Sequence, residues 1–206
     1  MRRLAIVLAT VAAASPQTAP SRDDVVAAMR KAAAFYAEKV STHGGYHFSY
    51  TDDLSYGRSE QSDGKTQVEL QRDGTPIVGM AYLEAWEATG DRFYLEAARK
   101  TGYALVEGQL CSGGWDYIVE FDPAKRARYP YRKGRDCRAA PERPPTTFDD
   151  NVTQACLRLL MRIDRALDFK DVAIHEAALF ALDSLLKAQY PNGAWPQRYA
   201  RFPEAA

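Results

Sequence analysis

Two short runs concentrate the side chains able to do chemistry: Asp149-Asp150-Asn151 and Trp195-Pro196-Gln197. Adjacent carboxylates suit a hard cation that takes oxygen ligands. They equally suit the positive N-terminus of a helix, where Asp and Asn cap free amides. Both readings stand for Asp149 and Asp150. Trp195 and Trp115 offer flat apolar faces on which a sugar ring can stack; the alternative is packing between successive structural units. Gln197 sets a polar group beside Trp195 for a substrate hydroxyl. Between Lys125 and Arg143 stand eight basic residues against Asp136 and Glu142. Guanidinium groups pair with carboxylates in two-pronged fashion, so Arg132, Arg135 and Arg138 are candidates to hold an anionic polymer, unless the run is only a solvated loop.

Bulk properties narrow the field. The chain has 206 residues, 46% of them hydrophobic, enough to bury a core. Formal net charge is zero and the pI is about 6.8, so no global field points to nucleic acid or a membrane surface. Met1-Arg2-Arg3, an apolar run from Leu4 to Val11 and Ala12-Ala13-Ala14 have the layout of a signal peptide over residues 1–14, which predicts an exported protein, secreted or periplasmic. An oxidising compartment permits disulfides. Cys111 and Cys137 bracket an irregular stretch and are the expected pair, while Cys156 falls on an apolar stripe; three buried thiols are the alternative.

The positioning elements read as helices. Val25, Ala28, Met29, Ala32, Ala33, Tyr36, Ala37 and Val40 recur at three and four, with Ser21 as cap and Gly44-Gly45 as stop. Thr75-Pro76 is expected to cap and open a second helix, and a third runs from about Asp91 to Leu110. Two more follow, on either side of Asp168. The first stripe recurs 69 residues later from Tyr94, and that one 80 residues later from Ile174. Each copy closes on glycine and an aromatic: Gly44-Gly45-Tyr46, Gly113-Gly114-Trp115, Gly193-Ala194-Trp195. Such units bury their stripes only by stacking. The fold class is therefore all-α, an (α/α) toroid or solenoid of helical hairpins with short irregular or β excursions. It is expected as one domain over 21–206 that lacks a capping unit at its C-terminal end. The last helix pair, about 148–190, is then expected to expose an apolar strip open to self-association.

Two boxes add a resemblance. Gln189-Tyr190-Pro191-Asn192-Gly193-Ala194-Trp195-Pro196-Gln197 matches the Gln-Tyr-Pro-Asn-Gly-Gly-Trp-Pro-Gln box of the family 10 pectate lyases except at Ala194. Thr147-Phe148-Asp149-Asp150-Asn151 resembles their Thr-Ile-Asp-Asn-like box, with Phe148 and an extra acid as departures. The likeness runs over roughly 113–199. It implies an (α/α) toroid with a substrate groove at one end, and cleavage of polygalacturonate by Ca²⁺-dependent β-elimination. It also implies Asp150, which matches the family's Asp before Asn, as the first candidate for a metal or substrate-proximal ligand, with the adjacent Asp149 second. The family continues into an Asn-Asp segment and an arginine segment that supplies the base. Neither is matched here, Arg198 and Arg201 included, so the catalytic residue stays unassigned. The second reading is a non-catalytic uronate-binding module or inactive lyase fragment.

Overall fold

The computed structural model describes residues 19–202, so the signal-peptide reading lies outside the described residues. Helix α1, Arg22–Phe35, starts with a reciprocal cap: Ser21 accepts from the Asp24 amide and the Asp24 carboxylate accepts from the Ser21 amide. It ends in a wider turn, Tyr36–Val40. A small meander follows, formed by β1 (Ser49–Tyr50), β2 (Gly57–Arg58) and β3 (Asp63–Gly64). Strand β4, Gln67–Glu69, leads to the first antiparallel hairpin, α2 (Thr75–Thr89) and α3 (Arg92–Gly108), turned at Gly90 in the left-handed region. Strand β5, Ile118–Glu120, pairs antiparallel with β4. A basic excursion carrying the short α4, Pro123–Arg126, leads to β6, Thr146–Thr147. The second hairpin is α5 (Val152–Ala166) and α6 (Val172–Lys187), and β7, Arg198–Tyr199, returns to pair with β6.

Helix α5 packs on α2 and α3 as well as on α6, so the hairpins stack into two layers, α2 and α5 in one, α3 and α6 in the other. Leu83, Leu105, Leu159, Leu160, Ile163 and Ile174 fill the space between them. The close approach of α2 to α5 requires Gly79, where a Cβ would stand 2.5 Å from Leu159 Cδ2. The all-α hairpin architecture expected from the repeat is the one observed. Among the described residues no helix is long and apolar enough to cross a membrane.

One device recurs between layers. The Tyr46 amide donates to Thr75 Oγ1 at 3.0 Å and Thr75 returns its proton to the Tyr46 carbonyl at 3.4 Å. In the next unit the Trp115 amide donates to Thr153 Oγ1 at 3.1 Å, and Thr153 donates to the Trp115 carbonyl at 3.2 Å. A threonine hydroxyl, one donor and two acceptor lone pairs, can clasp both main-chain groups of one residue. The adjoining strands follow suit: Glu69 donates to the Tyr46 carbonyl and Leu70 to that of Tyr117, as Thr147 does to Trp115 and Phe148 to Gln197. Thus residues 69–75 and 147–153 are equivalent segments.

Two expectations for caps are corrected. Thr75 is not the cap of α2; Gly74 holds that position, and the Thr75 hydroxyl is spent on Tyr46. Asp149, Asp150 and Asn151 do not cap α5 through their side chains either. They form a tight turn in which Asp150 (φ 48°) and Asn151 (φ 60°) are left-handed, and no side-chain capping bond is made. The Cys111–Cys137 disulfide forms as expected, with Cα atoms 5.4 Å apart, and Cys156 is a free buried thiol.

The clasp is testable. Thr153 is fully buried, so Thr153→Val keeps the shape while leaving the Trp115 amide without a partner. We expect a loss of about 1–3 kcal/mol in urea unfolding and near wild-type stability for Thr153→Ser. Equal losses for Val and Ser would show that packing, not the hydroxyl, matters.

Candidate functional site

The equivalence of segments 69–75 and 147–153 locates the site. The loops preceding α2 and α5 lie side by side at the end of the stack where α3 and α6 terminate. Gln71, Arg72, Asp73, Asp150 and Asn151 line a cleft of about 500 Å³ between them. Asp149 occupies the place of Gln71 and Asp150 that of Arg72. On the partnering strands Arg198 stands where the first unit has the apolar Ile118, and Gln197 where it has Tyr117. The second unit has thus taken on charge in place of Gln71 and Ile118 and reversed the charge carried by Arg72.

Main-chain bonds hold the acidic turn from below. Phe148 donates to the Gln197 carbonyl, the Asp149 amide donates to Thr147 Oγ1 at 3.1 Å, and Gln154 Nε2 donates to the Phe148 carbonyl at 3.0 Å. Asp149 then meets Arg198: Nη2 donates to Asp149 Oδ2 and to the Tyr117 hydroxyl, each at 3.2 Å, and the guanidinium carbon lies 5.6 Å from the Tyr117 ring centre. The Tyr117 hydroxyl, with smaller help from Gln197 and Arg198, holds the Asp149 carboxyl below the usual carboxylate range. Burial, and then Asp149, push Tyr117 up to about 12. Tyr117 and Asp149 push Arg198 further up. Neighbouring Asp116 is raised by burial. At neutral pH the centre is therefore an ionised Asp149, a protonated Tyr117 and a cationic Arg198. A guanidinium stabilised as a cation can bind a carboxylate and is the reverse of what proton abstraction requires.

The sequence candidates separate here. Asp149 and Asp150 are adjacent but differently engaged: Asp149 pairs with Arg198, while Asp150 is exposed. A calcium ion takes six to eight oxygens. Among the described residues no three His, Cys, Asp or Glu side chains are grouped to hold a metal, so this donor set does not by itself fit a resident Ca²⁺. Gln197 and Trp195 are exposed, and Gln197 lies beside Asp149. Trp115 is fully buried, its indole donating to the Leu105 carbonyl at 2.8 Å. Its face is closed to a sugar, and the packing alternative is the one observed. The basic excursion is largely turned on itself. Arg132 stacks on Phe180 with its guanidinium carbon 4.6 Å from the ring centre, and Arg135 donates to the Ala127 carbonyl. Arg126 and Lys133 pair with Glu107, and Arg138 pairs with Asp136. The run is thus mostly engaged, within itself and on α3 and α6, rather than a row of free guanidinium forks. Sequence reasoning gave Tyr117 and Arg198 no role. The signal was available in the internal repeat, where an arginine replaces an isoleucine on the equivalent strand.

The described residues form a two-layer stack of α/α hairpins with a polar, acid-rich cleft at one end. The family model "Pectic acid lyase" matches residues 122–204, and over that segment the chain resembles the pectic acid lyases. The structure is similar to that of a family 10 polysaccharide lyase from Cellvibrio cellulosa, with 20% identity and a TM-score of 0.52 over 85% of this chain and 53% of that one. A mutant of the Cellvibrio family 10 lyase in complex with trigalacturonic acid matches at 21% identity and a TM-score of 0.48, over 81% of this chain and 50% of that one. The chain therefore spans about half the length of the solved structures it matches. No curated protein matches it.

The electrostatics make a pH prediction. Because the folded-state pKa of Asp149 is lowered, its contribution is present above the ordinary carboxylate value and is lost as pH falls through the lowered one. Carboxyl titration by NMR should place Asp149 below 3.8, and Tyr117→Phe should move it upward. An unshifted midpoint in Tyr117→Phe would remove Tyr117 as the source of the depression.

Proposed function

We propose that this end of the stack recognises a uronate polysaccharide of the pectate type, in a pectate lyase-like protein. The observation that carries the reading is Arg198: an exposed guanidinium fixed by Tyr117 and Asp149, in the segment that matches the pectic acid lyases. A cation positioned in that way presents its remaining donors to a carboxylate, and Gln197 adds a hydroxyl partner. Arg72, on the equivalent loop across the cleft, is a second cation for the next uronate, with Asp73 as its present partner.

Charge balance supports the calcium expectation. Asp73, Asp149 and Asp150 outnumber Arg72 and Arg198 at the cleft, so a polyuronate meets net repulsion unless a divalent cation bridges the two sides. Asp150 is the carboxylate left to share such an ion with the substrate. Bound there, calcium would supply neutralisation of uronate charge. Cleavage by β-elimination also needs a base for the proton α to the carboxylate. Tyr117 and Arg198 are both held protonated, which favours binding without cleavage as the second reading. Export, read from residues 1–14, belongs to the same proposal, since the polymer is extracellular.

Titration with trigalacturonate should show binding that strengthens with Ca²⁺ and weakens with added salt. Arg198→Gln should lower affinity roughly tenfold, the scale of one charge-assisted contact. Binding unchanged in Arg198→Gln would reject the site. Incubation with polygalacturonate and Ca²⁺, followed by ultraviolet absorbance, separates the two readings: a rise from unsaturated product marks a lyase, and binding without a rise marks a recognition module.

A further inference from the structure

The third unit repeats the second down to its hydrogen bonds, except at the clasp. The Gln189 side chain donates to the Gly193 carbonyl as Gln109 does to Gly113, at 2.8 and 3.0 Å. The Tyr190 amide donates to the Ala194 carbonyl as Leu110 does to Gly114. The Trp195 indole donates to the Leu185 carbonyl at 2.9 Å, as Trp115 does to Leu105. Trp195 is thus held in the conformation of Trp115. Yet among the described residues nothing bonds its backbone amide or carbonyl, the groups that Thr75 and Thr153 clasp in the other units. The stripe leading to it is open too. Trp195 is 47% exposed where Trp115 is 0%, and Leu186 is 71% exposed where the equivalent Val106 is 7%. Leu179 and Val172, one and two heptads before Leu186 on the same helix, extend the exposed strip.

We propose that α6 and Trp195 form a docking surface for an α-helical repeat unit of the α5 type. Its occupant is a helix with threonine in the first turn, clasping the Trp195 amide and carbonyl, followed by an apolar stripe seated on Leu182, Leu185 and Leu186. The chemistry of this occupant is read from the two filled junctions of the same molecule. In both of them a threonine-headed helix, α2 or α5, makes these bonds. A second copy of this chain does not supply it, because Thr75 and Thr153 are both fully buried in their own clasps. In the occupied state Trp195 is covered as Trp115 is, which assigns its ring to packing rather than to a sugar.

The probe is a synthetic helical peptide of residues 146–167, lactam-bridged on its solvent face, titrated into the full chain. NMR reports the Trp195 backbone amide. Saturable binding with protection of that amide from hydrogen exchange is expected. The peptide's Thr153→Val version should bind roughly tenfold more weakly, the cost of one lost pair of hydrogen bonds. In the protein, Leu186→Glu, at a site too exposed to unfold the chain, should abolish binding. Absence of binding, or binding indifferent to the threonine, would overturn the proposal. So would concentration-dependent dimerisation of the chain that Leu186→Glu abolishes, since the surface would then belong to a second copy.

Discussion

A single hydroxyl per unit holds the architecture together. In each junction a threonine at the start of one helix reaches the backbone of an aromatic residue that follows another, and the aromatic side chain is buried beneath the joint. Burying main-chain amides without partners costs more than most side-chain contacts return. The junction therefore cannot slide by a residue, and strand pairing, helix start and loop path are all set from it. The stripes then fall into register between layers, with Leu159 of α5 facing Gly79 of α2, and Leu160 and Ile163 facing Gly102 of α3.

Because the joint uses backbone and one threonine, the side chains around it are free to differ. The first unit places Gln71, Arg72 and Ile118 where the second places Asp149, Asp150 and Arg198. The same scaffold carries a solvent-exposed Arg72–Asp73 pair in one copy and the Asp149–Arg198 centre in the other. The left-handed conformations of Asp150 and Asn151 belong to this specialisation: the acidic turn abandons capping, leaving Asp149 to Arg198 and Asp150 to solvent.

Much of this was legible in the chain itself. The spacing of Tyr94, Ala97, Ala98 and their counterparts from Ile174 announced repeated helices, and glycine followed by an aromatic announced their joints. The Cys111–Cys137 pair was legible because both residues flank the same excursion. What escaped was tertiary. Asp149 looked like a cap because capping is a local property, whereas its partner Arg198 is brought by strand pairing from 49 residues away. Thr75 looked like a cap for the same reason, and its clasp on Tyr46 spans 29 residues. Trp115 and Trp195 are indistinguishable as letters, and only burial tells them apart. The basic run suggested free guanidinium groups, but the partners of Arg126 and Arg132, Glu107 and Phe180, lie on helices that composition alone does not place alongside them.

The disulfide has a topological consequence. Cys111 and Cys137 close residues 111–137 into a covalent ring whose two ends leave the ring toward different hairpins. Cys111 also donates its amide to the Pro130 carbonyl, so the ring is fastened to its own far side. The exposed basic tip at Lys133-Gly134 sits inside this ring. A protease that cuts there leaves one covalent molecule instead of two, with both hairpins still joined through sulfur. Among the described residues the excursion is thus where backbone cleavage and loss of connectivity are separate events, and a reductant turns the first into the second.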